Sequence, residues 1–259
     1  MVSSNKISYS ISLPTRPTLT LTVEEHLCQL RSSGLATSSS SSISNNLSSI
    51  KNLYESVDAS LQLQSTQQEK KLDSILDGSV MLLDVCSTTR DVLSQMRECV
   101  QDLQSSIRRR RGEDLDLTKE LDEYMTSRKK VTKVIRKCLG GLKKMQSRNY
   151  DDVAVVNVLK EVEAATPAVF QSLLSFLCGP KQSNWSLVSR LLPSKRVAYG
   201  ADLSEVERVE VALNAKKIVD AKKPLLELEM SIQDLEEGLE SVFRALVKTR
   251  VSLLNILNH

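Results

Sequence analysis

Histidine is nearly missing from this sequence. Its two copies, His26 and His259, lie near opposite ends of 259 residues, so an imidazole acid/base pair or a His-containing metal cluster needs both ends of the chain to meet. Aromatic residues make up 3% of the chain, which leaves an aliphatic core and little surface on which bases could stack. Long apolar runs are missing too. The longest, such as Val80 to Leu83, fall far short of a membrane span, and the N-terminus shows no unbroken signal-peptide core. There is no glycine-rich phosphate loop and no nucleophile elbow; Gly140 and Gly141 lie inside a helical pattern rather than after a strand. Five cysteines, at positions 28, 86, 99, 138 and 178, are odd in number and never at metal-ligand or CxxC spacing. These absences describe a reduced, intracellular, non-enzymatic chain with no catalytic residue, no cofactor and no metal site.

What the sequence does contain is helical periodicity. With 41% hydrophobic residues the chain can bury a sizeable core, and its apolar residues recur at alternating steps of four and three, the period of a coiled-coil seam. One seam reads Ile43, Leu47, Ile50, Tyr54, Val57, Leu61. Another reads Leu72, Ile75, Ser79, Leu82, Cys86, Thr89, Leu93, Met96, Val100, Leu103, Ile107. A third carries Leu121, Tyr124, Val131, Ile135, Cys138, Leu142 and Met145, with Arg128 its only charged member. Past Pro224, Leu225, Ile232, Leu239, Leu246 and Leu253 repeat every seven residues. A second row runs through Leu228, Leu235, Val242, Thr249 and Ile256, and further apolar residues at Phe243, Val247, Val251, Leu254 and Leu257 widen the stripe. The fold class is therefore all-α, an elongated bundle of long amphipathic helices with coiled-coil-like packing.

Punctuation divides this pattern. Residues 1–21 read as a disordered tail, 22–33 as a short helix opened by a Thr22/Glu25 capping box and containing a solvated His26, 34–42 as a Ser-rich linker, and 43–259 as the bundle. Further capping boxes appear at Thr66/Glu69 and Ser204/Glu207. Asp77 and Gly78 are expected to break or kink the second long helix and Gly112 to end it. Thr166 and Pro167 should start a new helix, Gly179 and Pro180 should close it, and Pro224 should divide the last helix pair. Residues 181–201, with the lone Trp185, read as a brief helix or loop.

Charge is the most distinctive local feature. Arg108, Arg109, Arg110 and Arg111 form an unbroken run, and no acidic residue occurs from Met125 to Tyr150. At about 100° per residue, Lys129, Lys133, Arg136, Lys137 and Lys144 fall opposite Val131, Val134, Ile135, Leu139, Leu142 and Met145. These nine basic residues form the candidate surface. A solvated outer face, a calmodulin-type target helix and a peripheral contact with anionic lipid through 129–145 are all compatible with that split. Nucleic acid is disfavoured, because no recognition motif or stacking aromatics accompany the arginines. The acidic stretch from Glu227 to Glu240 could lie against the basic helix.

Several segments together resemble the plant-specific BYPASS-like proteins: Ser12 to Arg16, Val23 to Arg31, Leu76 to Cys86, Arg90 to Arg97, Arg108 to Gly112, Ser127 to Val131, Leu235 to Leu239 and Arg250 to Leu257. The resemblance implies a helical plant protein linked to root and shoot development, with no catalytic residue or cofactor to carry over. Some relatives are plastid proteins, and the Ser/Thr-rich segment before Glu24 has some transit-peptide character. The adopted reading is a plain tail and a cytoplasmic location rather than a plastid one. The functional expectation is a non-enzymatic adaptor with a protein partner; the alternative is a peripheral membrane protein.

Overall fold

The computed structural model describes residues 23–28, 30, 39–61, 69–109, 117–146, 154–179, 203–214 and 218–258. Among them there is no strand. The helices are α1 (residues 23–28), α2 (Ser40–Leu61), α3 (Glu69–Arg109), α4 (Thr118–Gln146), α5 (Ala154–Cys178), α6 (Glu205–Asn214) and α7 (Ile218–Leu257). At about 1.5 Å per residue, α3 and α7 each run about 60 Å, which sets the long axis.

Four helices close a ring. α7 packs against α2 and α3, and α5 packs against the same two from the other side. α4 lies outside this ring on α3 and α5, while α6 covers part of α7. Side-chain partners fix the directions. Ser231 meets Ser40, Gly238 abuts Leu47 and Thr249 donates to the Tyr54 carbonyl, so α7 and α2 run parallel. Against α3 the register reverses: Gln101 reaches Glu229, Arg97 reaches Glu236 and Arg250 reaches the Leu76 carbonyl. α4 is also antiparallel to α3, with Arg128 beside Met96 and Cys138 near Asp84.

The seams read from the sequence are the core. Ile43, Leu47, Ile50, Tyr54, Val57 and Leu61 are all buried, as are the described members of the α3 seam from Ile75 to Ile107 and both α7 rows as far as Leu253. Polar ties cross this apolar interior. The Tyr54 hydroxyl bonds the Thr166 hydroxyl at 2.9 Å, and the buried Asp58 carboxylate accepts from Ser252 and pairs with Lys248.

Several boundaries differ from the sequence reading, each for a local reason. α2 begins at Ser40, within the segment assigned to the linker, because Ser39 caps it: its carbonyl and hydroxyl accept from the Ile43 and Ser42 amides. α3 continues through Asp77 and Gly78. There Gly78 faces α5, with the tip of the Glu163 side chain in the space that a Cβ would take. α5 continues through Pro167. Proline inside a helix costs about 3 kcal/mol, a cost offset here by burial of Val162, Val169, Phe170, Leu173 and Leu174 on either side. α7 likewise continues through Pro224, seven residues into the helix, with Ala221, Leu225 and Leu228 buried around it. His26 is half-buried rather than solvated, and its Nδ1 has no partner among the described residues. Phe243 and Leu257 pack against the core as the widened stripe requires, whereas Val247, Val251 and Leu254 are exposed and do not widen it.

The Ser204/Glu207 capping box is present in both directions, at 2.9 and 3.3 Å. Gly179 closes α5 with φ 70° and its amide on the Phe176 carbonyl, the left-handed cap that glycine adopts without a Cβ penalty. The N-terminal tail, Thr22, Thr66, residues 110–116, Pro180 and the Trp185 segment lie outside the described residues.

Candidate functional site

The basic face predicted on α4 is present. Lys129, Lys133, Arg136, Lys137 and Lys144 are exposed, as is Lys130, while Val131, Ile135 and Leu142 are buried against α3 and α5. The six cations span about 23 Å of helix within an arc of about 120°. Among the described residues none of the six is paired with a carboxylate. Val134 departs from the expectation: it is exposed at the edge of the basic arc rather than buried with Val131.

The described part of the arginine run does not join this face. Arg108 and Arg109 are exposed at the end of α3, with Arg108 held by Gln104 at 2.6 Å, and Arg110 and Arg111 are outside the described residues. Because α3 and α4 are antiparallel, Arg108 lies beside the first turn of α4, about 20 Å along the helix from Lys129. The seven candidate residues that are described therefore occupy two separate places rather than one surface.

The acidic stretch of α7 has other partners than α4. Glu236 pairs with Arg97 at 2.7 Å and Glu240 with Arg90 at 3.2 Å, both from α3, while Glu227 pairs with Arg208 of α6 at 2.8 Å. Arg90 also lies over the Phe243 ring, 5.5 Å from its centre. Arg90, Arg97, Glu236 and Glu240 line an open groove of about 600 Å³ between the two helices. Its positive and negative groups neutralise one another, so it is a zipper between two helices rather than a pocket selective for one charge.

The residue whose role the sequence did not reveal is Arg128. Its side chain is 6% exposed and ties four helices together. One guanidinium nitrogen donates to the Leu177 carbonyl at 2.7 Å and sits 3.0 Å from the Met96 sulfur. The other reaches Glu210 at 2.8 Å and the Cys178 carbonyl at 3.4 Å. The last carbonyls of α5 have no helical partner and carry the negative end of the helix dipole, so a buried cation satisfies them in both respects. Gly179 belongs to this junction: a Cβ there would sit 3.2 to 3.3 Å from Glu210, Arg128 and Val206. Tyr124, one turn before Arg128, is buried beside it; burial pushes its phenol up to about 12, and the neighbouring guanidinium opposes that shift. Arg128 was legible as a lone charge on an apolar seam. Its partners came from three other helices, which spacing does not encode.

Burial holds three of the five thiols in the protonated, weakly nucleophilic form. Burial pushes Cys86 up to about 12, and Cys99 and Cys138 are also raised by burial. Among the described residues no group of three His, Cys, Asp or Glu side chains comes together to hold a metal ion, and no described helix is long and apolar enough to cross a membrane.

The family described as Protein BPS1 matches residues 46–256, from the second turn of α2 to the end of α7. This chain belongs to that family. No curated protein and no solved structure matches it. Membership in the BPS1 family agrees with the plant BYPASS-like resemblance of the sequence segments, and points to a plant developmental protein.

Proposed function

We propose that this BPS1-family chain is a non-enzymatic helical adaptor and that the outward face of α7 receives a protein partner. The observation that carries the reading is the composition of that face. Its two heptad rows are Leu226, Gln233, Glu240, Val247, Leu254 and Met230, Glu237, Arg244, Val251. Leu226 and Met230 are 54% and 61% exposed at one end, and Val247, Val251 and Leu254 are exposed at the other. Polar and charged residues occupy the middle. Two aliphatic patches about 30 Å apart on one rigid helix suit a partner that grips both ends and reads the charges between them, since exposed apolar clusters rimmed by polar groups mark protein interfaces.

The test is affinity purification with proximity labelling from plant tissue, comparing the parent with Leu226→Asp/Met230→Asp. Both substitutions lie on the outer surface, so the helical circular dichroism spectrum should be retained. The expected result is loss of specific partners from the variant. An unchanged partner set, or no specific partner with the parent, contradicts the reading.

A further inference from the structure

A second exposed surface, of one charge sign, lies on α4. We infer that the basic face of α4 docks the protein onto an anionic lipid bilayer, with the helix axis lying along the membrane plane. Lys129, Lys130, Lys133, Arg136, Lys137 and Lys144 all point outward from a helix whose opposite side is committed to α3 and α5. A solvated face of an ordinary bundle intersperses both signs of charge, as α7 does; this one has no acid from Met125 to the end of α4.

The form of the charge favours a lipid surface over other polyanions. Five of the six cations are lysines, which act as point charges and demand no bidentate geometry. The side chains lie on the outward, convex side of a single helix, a shape that can meet a flat array of headgroups along its length. Exposed Val134 borders the basic arc next to Lys130 and Lys137 at helical spacing, so an apolar side chain at the edge of the face can reach the headgroup boundary while the lysines stay with the lipid charges. Aromatic side chains that would stack bases do not occur on the stretch 125–146. Charge reverses toward the start of the helix, where Asp122 and Glu123 are exposed and Lys119 pairs with Glu123. Contact is therefore confined to the C-terminal two-thirds of α4.

This surface is independent of the α7 face, so either can fail alone. The experiment is flotation of the full chain with phosphatidylcholine vesicles, with and without phosphatidylserine, at low and high salt. Lys133→Ala/Lys137→Ala is compared with Lys222→Ala/Lys223→Ala, which removes the same charge from exposed positions on α7. The parent should float only with the phosphatidylserine vesicles and be released by salt. The α4 pair should bind about thirty-fold more weakly, and the α7 pair should bind like the parent. No flotation at low salt overturns the proposal, and so does equal loss in both variants, which would reduce the effect to net charge. Retention on immobilised RNA or a polyglutamate peptide without vesicle binding would assign the face to another polyanion and also overturn it.

Discussion

Replacing Arg128 with methionine would keep the apolar stem and remove the charged head, isolating what the guanidinium contributes. The Leu177 carbonyl is buried and would lose its donor, at about 1 to 3 kcal/mol for an orphaned acceptor. The Cys178 carbonyl and Glu210 lie nearer solvent, with the Glu210 side chain 27% exposed, so water recovers part of what they lose. The total expected for Arg128→Met is about 3 to 5 kcal/mol, the range for removing one partner of a buried ion pair. Glu210→Gln keeps an acceptor facing the guanidinium and should cost about 1 kcal/mol or less. Urea denaturation followed by circular dichroism on the two single variants and the double would measure both terms and their coupling. If Arg128→Met unfolds at the parent's midpoint, the guanidinium does not hold the junction of α3, α4, α5 and α6, and this reasoning fails.

Leu239 is fully buried in the α7 seam, so Leu239→Ala should lower stability by about 2 to 5 kcal/mol, while exposed Glu237→Ala should stay within about 0.5 kcal/mol; coincident urea midpoints would refute the seam. Gly140 lies inside α4, where an added methyl group would find no neighbouring atom within 4 Å, so Gly140→Ala should raise stability by about 0.5 to 1 kcal/mol, read as an upward shift in Tm. In native protein at pH 8, iodoacetamide should label exposed Cys28 and spare Cys86, whose thiol is raised to about 12, with Cys86 labelled only after unfolding. Because Cys86 and Tyr124 are both raised by burial, their unfolded forms release protons first; stability should be whole below pH 9 and fall as pH climbs toward 12, measurable as a declining urea midpoint.

The inner faces of the helices were legible because a seam is a local signal: Ile43 to Leu61, or Leu225 to Leu253, is buried wherever its partner lies. Breakers were less legible. Gly78, Pro167 and Pro224 read as interruptions by intrinsic propensity, but each sits in a helix whose flanking side chains are buried against neighbours, and that packing outweighs a local cost of about 1 to 3 kcal/mol. Charge positions were legible on α4 because the acid-free stretch is continuous in sequence. The partners of Glu227 to Glu240 were not, since Arg90, Arg97 and Arg208 come from helices whose direction relative to α7 is a tertiary property. Arg128 combines both cases. Its place on the seam was visible, whereas the α5 carbonyls it caps lie 49 and 50 residues away in sequence.

In the bundle α7 packs between α2 and α3, with α2 parallel and α3 antiparallel to it, which commits its inner rows to packing and leaves its outer face free. Ser40 and Ser231 test this directly, because their hydroxyls are 3.1 Å apart across the α2–α7 contact, close enough for a disulfide between cysteines at the two positions. An α2 running the other way would place Ser40 about 30 Å from that point. The Ser40→Cys/Ser231→Cys variant should form the intramolecular cross-link under mild oxidation, identified by peptide mapping, with its helical content unchanged. A folded variant that leaves those two cysteines unlinked would contradict the arrangement of helices around α7.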